Sequence, residues 1–125
     1  MENGQNTLRS KQELVEENKH FLAHIRAEDV EYTANSLSHL QRMDTSVTRH
    51  ILSDLRKIDI EKLYYRPFPK DGGELRVGDT LFTWQIDYFD NCGQRITTYE
   101  QILIEHLVDR VVVILAPEDR LLLDK

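Results

Sequence analysis

Apolar and polar residues alternate most clearly over residues 81 to 90, Leu-Phe-Thr-Trp-Gln-Ile-Asp-Tyr-Phe-Asp. Phe82, Trp84, Ile86 and Tyr88 fall on one face of an extended chain, and Thr83, Gln85 and Asp87 fall on the other. A period of two predicts a half-buried antiparallel strand. The stretch holds the only Trp and two of the four Phe, which makes it the nucleus of the expected core.

Ahead of it the period lengthens. Ser10 followed by Glu13 forms a Ser-x-x-Glu capping box. Leu14, Val15, Phe21, Leu22 and Ile25 then recur at helical spacing, predicting an amphipathic helix over 10–27. Asp44, Thr45 and Ser46 form a second N-cap cluster. Val47, Ile51, Leu55 and Ile58 follow on one face, predicting a helix over 46–58. Between these, Val30 and Tyr32 alternate with polar neighbours and allow a short strand. Ala34-Asn35-Ser36 reads as a turn, because short polar side chains offer the backbone alternative hydrogen bonds. Leu37, Leu40 and Met43 then favour a helical turn, and one continuous helix over 29–43 is the competing reading.

The second half is punctuated by turn residues. Residues 66–73, with two prolines and a Gly pair, must be loop. Glu74 to Val77 alternates, and Gly78-Asp79 signals a hairpin into the Trp84 strand. Residues 90–93 form another turn. Residues 98–107 lean to helix, with strand as the alternative. Val111 to Leu115 is a short β-branched run expected to be a fully buried strand. Leu121-Leu122-Leu123 is an apolar tail. Helices first and strands second predict an α+β domain spanning 1–125, with N-terminal amphipathic helices packed on one face of a small antiparallel sheet. Residues 1–9 are expected to be disordered.

Composition narrows the class. A chain of 125 residues that is 40% hydrophobic and 30% charged suits one soluble domain. No apolar run approaches the ~20 residues of a membrane helix. The N-terminus carries neither basic n-region nor apolar h-region, so no signal peptide is expected. Cys92 is the single cysteine, which rules out an intramolecular disulfide and suits the cytosol. The net charge of −6 is spread over both halves, −2 for residues 1–62 and −4 for 63–125. No Lys/Arg cluster stands out, so direct nucleic-acid binding is not expected.

Residues 84–90, Trp-Gln-Ile-Asp-Tyr-Phe-Asp, resemble the Trp-Lys-Ile-Asp-Tyr-Tyr-Asp signature of a bacterial family of small proteins, a domain of unknown function common on proteobacterial genomes and mobile elements. Residues 40–58 resemble that family's helical segment before an acidic loop. Residues 110–116, Arg-Val-Val-Val-Ile-Leu-Ala, followed by Glu118, resemble its closing strand. The likeness covers about residues 37–119. It departs at residues 65–74, where the family's Gly-Glu-His-Asp-Phe-Gly element is missing, together with any site built on it. The resemblance implies the fold and a bacterial phage, plasmid or other mobile-element origin. It carries no activity.

Candidate chemistry is sparse. His20 and His24, at i and i+4, can share a metal ion, but no third ligand is identifiable, so no metal or other cofactor is expected. Asp87 and Asp90 point to opposite faces of a strand and make a poor catalytic pair. Glu105 and His106 are adjacent on a helix and do not face each other. Cys92 lacks an identifiable base, and the glycines at 72, 73 and 78 lack the Lys-Ser/Thr of a phosphate loop. Two patches remain. Tyr64, Tyr65 and Phe68 on the Pro-rich loop form a candidate protein-contact surface. Glu28, Asp29 and Glu31 form an acidic cluster, as do Glu118 and Asp119. The expected function is therefore non-catalytic binding of another protein. One alternative is an acidic inhibitor of a host defence nuclease. Another is a toxin-type RNase, which the negative charge disfavours. A homodimer through the leucine-rich tail or the first helix is a further expectation.

Overall fold

In a computed structural model the structure describes residues 10–58, 72–104 and 108–119. Among the described residues five strands form one sheet in the order β1 (Val30–Tyr32), β5 (Asp109–Leu115), β3 (Thr80–Phe89) and β2 (Gly72–Val77), with β4 (Arg95–Ile96) also paired to β3. The helices are α1 (Lys11–Ala23), α2 (Ala34–Leu40), α3 (Val47–Arg56) and α4 (Tyr99–Ile104), and a 3-10 turn, Ala27–Asp29, precedes β1. The α+β class is therefore as expected. Residues 64–71 and 120–125 lie outside the described residues, and with them Tyr64, Tyr65, Phe68 and the leucine-rich tail.

The sheet is mixed rather than antiparallel. β2–β3, β3–β4 and β3–β5 are antiparallel, but β1 runs parallel to β5, with Val30 opposite Val112 and Tyr32 opposite Ile114. Hairpin pairings announce themselves through turn residues. A parallel pairing across eighty residues leaves no local signature, because its connection is long and carries other elements.

The capping box at Ser10 forms as expected. Ser10 Oγ accepts the Glu13 N–H at 3.1 Å, and Glu13 Oε1 accepts the Ser10 N–H at 2.8 Å. The α1 helix stops at Ala23, four residues short of expectation. At α3 the capping group lies two residues upstream of the N-cap. Ser46 makes no side-chain cap, and Asp44 Oδ1 accepts the Ser46 N–H at 2.8 Å, which holds the Asp44 carboxyl below its usual range. The turn expected at Ala34-Asn35-Ser36 is the first turn of α2. Thr33 is its N-cap, accepting the Ser36 N–H, and Ser36 Oγ donates to the Ile114 carbonyl at 2.8 Å. A partner supplied by the sheet thus satisfies the polar side chain that would otherwise have favoured a turn.

Phe82, Trp84, Ile86 and Tyr88 all point into the core, as the alternation requires. They meet Val112 and Ile114 of β5, Leu75 of β2, and Leu14, Leu22, Ile25, Ile51, Leu55 and Ile102 from the helical segments in one cluster. α1 lies on α3, α3 on β2, and α2 on β1 and β5. Each fully buried aliphatic side chain contributes about 1.5–3 kcal/mol. The opposite face is less wet than expected. Gln85 is buried, and Val111 and Val113 are only half-buried, so β5 alternates rather than being buried throughout. Thr83 Oγ1, Trp84 Nε1 and Gln85 Oε1 are buried without a protein hydrogen-bond partner.

Candidate functional site

The residues that line one open groove come from two places. The C-terminal half of α1 and the segment after it supply His20, Phe21, His24, Arg26 and Asp29. The approach to β5 supplies Val108, Asp109 and Arg110. The groove holds about 410 Å³. Phe21 and Val108 give it an apolar strip, since both pack on the core while remaining part-exposed. Arg26, Asp29, Asp109 and Arg110 place both signs of charge along it.

Its floor is a buried polar network that the sequence analysis did not assign. Asn18 sits on the apolar stripe of α1, between Leu14 and Leu22, and is 1% exposed. Its amide donates to the Tyr88 hydroxyl at 2.8 Å, and its Oδ1 accepts from Arg110 Nε at 2.7 Å. Arg110 Nη2 donates to Glu17 Oε1 at 2.8 Å, and the guanidinium lies 5.5 Å from the Tyr88 ring centroid. The signal for this network was present. A polar residue occupies the core stripe of a helix, and a charged residue occupies the inward-facing parity of β5, directly opposite Tyr88. Buried polar groups of that kind need partners, and these find each other.

Of the sequence-predicted residues, the structure brings His20 and His24 to the groove. Their rings are stacked, with centroids 4.4 Å apart and planes tilted by 34°. His24 Nδ1 donates to the His20 carbonyl at 3.0 Å, which leaves its Nε2 facing away from that bond. Among the described residues no three His, Cys, Asp or Glu side chains group to hold a metal ion. Asp29 lines the groove beside Arg26, accepting its backbone N–H at 3.0 Å and lying 3.6 Å from its Nε. Glu28 pairs with the same Arg26 at 3.2 Å. Glu31 is exposed on β1, away from that pairing.

The second acidic pair is structural. Asp119 is 7% exposed and accepts from Thr33 Oγ1 at 2.5 Å, the Ala116 N–H at 2.8 Å and Asn35 Nδ2 at 2.9 Å. Burial works against its ionisation, but these three donors outweigh it and hold the carboxyl below its ordinary value. Glu118 accepts from His39 Nε2 at 3.0 Å, which lowers its pKa. Asp87 accepts from Gln85 and Arg95, and Asp90 receives the Cys92 and Gln94 N–H groups of its turn. Cys92 is exposed at that turn, with Gly93 at φ +83°. No family model, curated protein or solved structure matches the chain.

Proposed function

We propose that the chain is a non-catalytic, cytosolic protein-binding domain, and that the groove between α1 and β5 receives part of its partner. The single observation behind this reading is the groove's make-up. An apolar strip, Phe21 and Val108, is flanked by Arg26, His20, His24 and Asp109 and backed by a polar floor already hydrogen-bonded within the protein. Such a surface accepts an apolar side chain and orients it through charged neighbours, and arginine and aromatic residues are enriched where binding energy concentrates. The network under it fixes Arg110, so the groove wall is preorganised. A bacterial phage, plasmid or other mobile element as its source belongs to the same proposal and rests on the likeness of residues 84–90.

Affinity capture from a bacterial host, quantified by mass spectrometry, tests the reading. Wild type is expected to retain a protein at near-stoichiometric amounts, and an Arg26→Ala/His24→Ala variant is expected to lose it at unchanged thermal stability. Equal recovery by both would refute the groove as the binding surface. Cleavage of total RNA or of another substrate by the purified chain would refute the non-catalytic reading.

A further inference from the structure

The outer strand β2 carries a pattern that the groove does not use. Among the described residues no strand pairs with its outer edge. Val77 and Thr80 close the β2–β3 hairpin over the two-residue turn Gly78-Asp79, with Gly78 at φ +60°. Two-residue hairpins close on a hydrogen-bonded pair, and bonded and non-bonded pairs then alternate along the ladder. Gly73, Leu75 and Val77 therefore direct their backbone N–H and C=O toward β3. Gly72, Glu74 and Arg76 direct theirs away from β3; Gly72 is buried all the same, so the exposed part of the outer edge is the stretch carrying Glu74 and Arg76.

Exposed edges are usually blunted by lysine, proline or a bulge. The strand Gly-Gly-Glu-Leu-Arg-Val has no lysine, proline or bulge, its register with β3 is unbroken, and its two exposed charges are of opposite sign, so they repel a second copy in some registers and attract it in another. The Glu74 and Arg76 side chains are exposed, and neither has an ion-pair partner among the described residues. Three antiparallel registers of this edge with a second copy keep its outward groups facing each other near the strand centre. One sets Glu74 against Glu74, and one sets Arg76 against Arg76. The third has its twofold axis at Leu75 and sets Glu74 of each copy against Arg76 of the other. Like charges directly opposite destabilise a pair and opposite charges stabilise it, so only the third register is favourable. Each Glu74–Arg76 pair in it also exchanges two backbone hydrogen bonds.

We infer that a second copy of this chain docks on β2, antiparallel and centred on Leu75, which joins the two five-stranded sheets into one. This goes beyond the groove reading and stands or falls without it, since no groove residue takes part.

Sedimentation equilibrium and light scattering of the full chain test the inference. Wild type is expected to show a concentration-dependent dimer that weakens with added salt. Glu74→Arg alone and Arg76→Glu alone each turn both symmetric contacts repulsive, and each is expected to weaken the dimer by about tenfold or more. Both positions are exposed, and an unchanged melting temperature verifies folding. The double swap E74R/R76E is expected to restore the dimer, and mixing the two single variants is expected to give a mixed dimer. A wild type that stays monomeric at millimolar concentration would overturn the inference. So would a dimer insensitive to the single reversals, or a double swap that fails to restore association.

Discussion

The two ends of β5 use the same device for different results. At each end a charged side chain reaches across the fold to a helix that is distant in sequence. Beyond the C-terminal end, the buried Asp119 gathers Thr33 and Asn35 at the start of α2, and the Ala116 N–H, into a clasp. At the N-terminal end, Arg110 gathers Asn18 and Glu17 of α1 over the Tyr88 ring, but one side of that assembly lines an open groove. The Asp119 cluster ties the start of α2 to the chain after β5. The Arg110 cluster is equally satisfied and also borders open space, so it fixes the shape of a surface.

The largest effect is expected at the open end. Arg110→Ala removes donors to Asn18 and Glu17 and leaves the Asn18 Oδ1 buried without that bond, so it should cost about 3 kcal/mol in urea denaturation. At the Asp119 clasp, Asp119→Ala should cost about 2 kcal/mol by loss of charge-assisted hydrogen bonds. Its pH dependence tests the clasp separately. Because the folded carboxyl titrates below the ordinary value of 3.8, its contribution is fully present above that value and is lost as pH falls through the depressed folded one. Asp119→Asn should therefore flatten the stability profile below about pH 4. Equal acid sensitivity in wild type and Asp119→Asn would break the clasp assignment.

Tyr88→Phe is the intermediate case. It removes the hydroxyl that accepts from the Asn18 amide and keeps the ring under Arg110, so the expected cost is about 1 kcal/mol. The smallest stability effect belongs to the groove rim. Arg26→Ala/His24→Ala removes ion pairs at the surface, a ring stack and the exposed His24 bond to the His20 carbonyl, and the free energy of unfolding should change by less than about 1 kcal/mol.

Legibility in the sequence followed the range of the interaction. The Ser10–Glu13 box, the Gly78 hairpin and the inward set Phe82, Trp84, Ile86 and Tyr88 are local patterns, and the structure contains each of them. The parallel β1–β5 pairing, the Ser36 bond to the Ile114 carbonyl and the Arg110–Asn18 bond span roughly eighty to ninety residues. Nothing local encodes those. Ser36 shows the consequence, since its turn propensity gives way once the sheet offers its hydroxyl an acceptor. The candidate site was legible in fragments. In the sequence His20 and His24 stand out as a pair at i and i+4, and Asp29 as part of an acidic cluster, but nothing local joins them into one rim. Asn18 on an apolar stripe and Arg110 on an inward parity were the unread signals, and together they identify the floor.

Binding of a partner protein at the open end of β5 is the proposal on which the rest turns. Its most direct test compares the proteins that co-purify with wild type and with Arg26→Ala/His24→Ala, quantified by mass spectrometry at matched stability. A partner held near stoichiometry by wild type and depleted at least about tenfold in the variant is the predicted result. Equal recovery in both, or no stoichiometric partner with either, would contradict the claim.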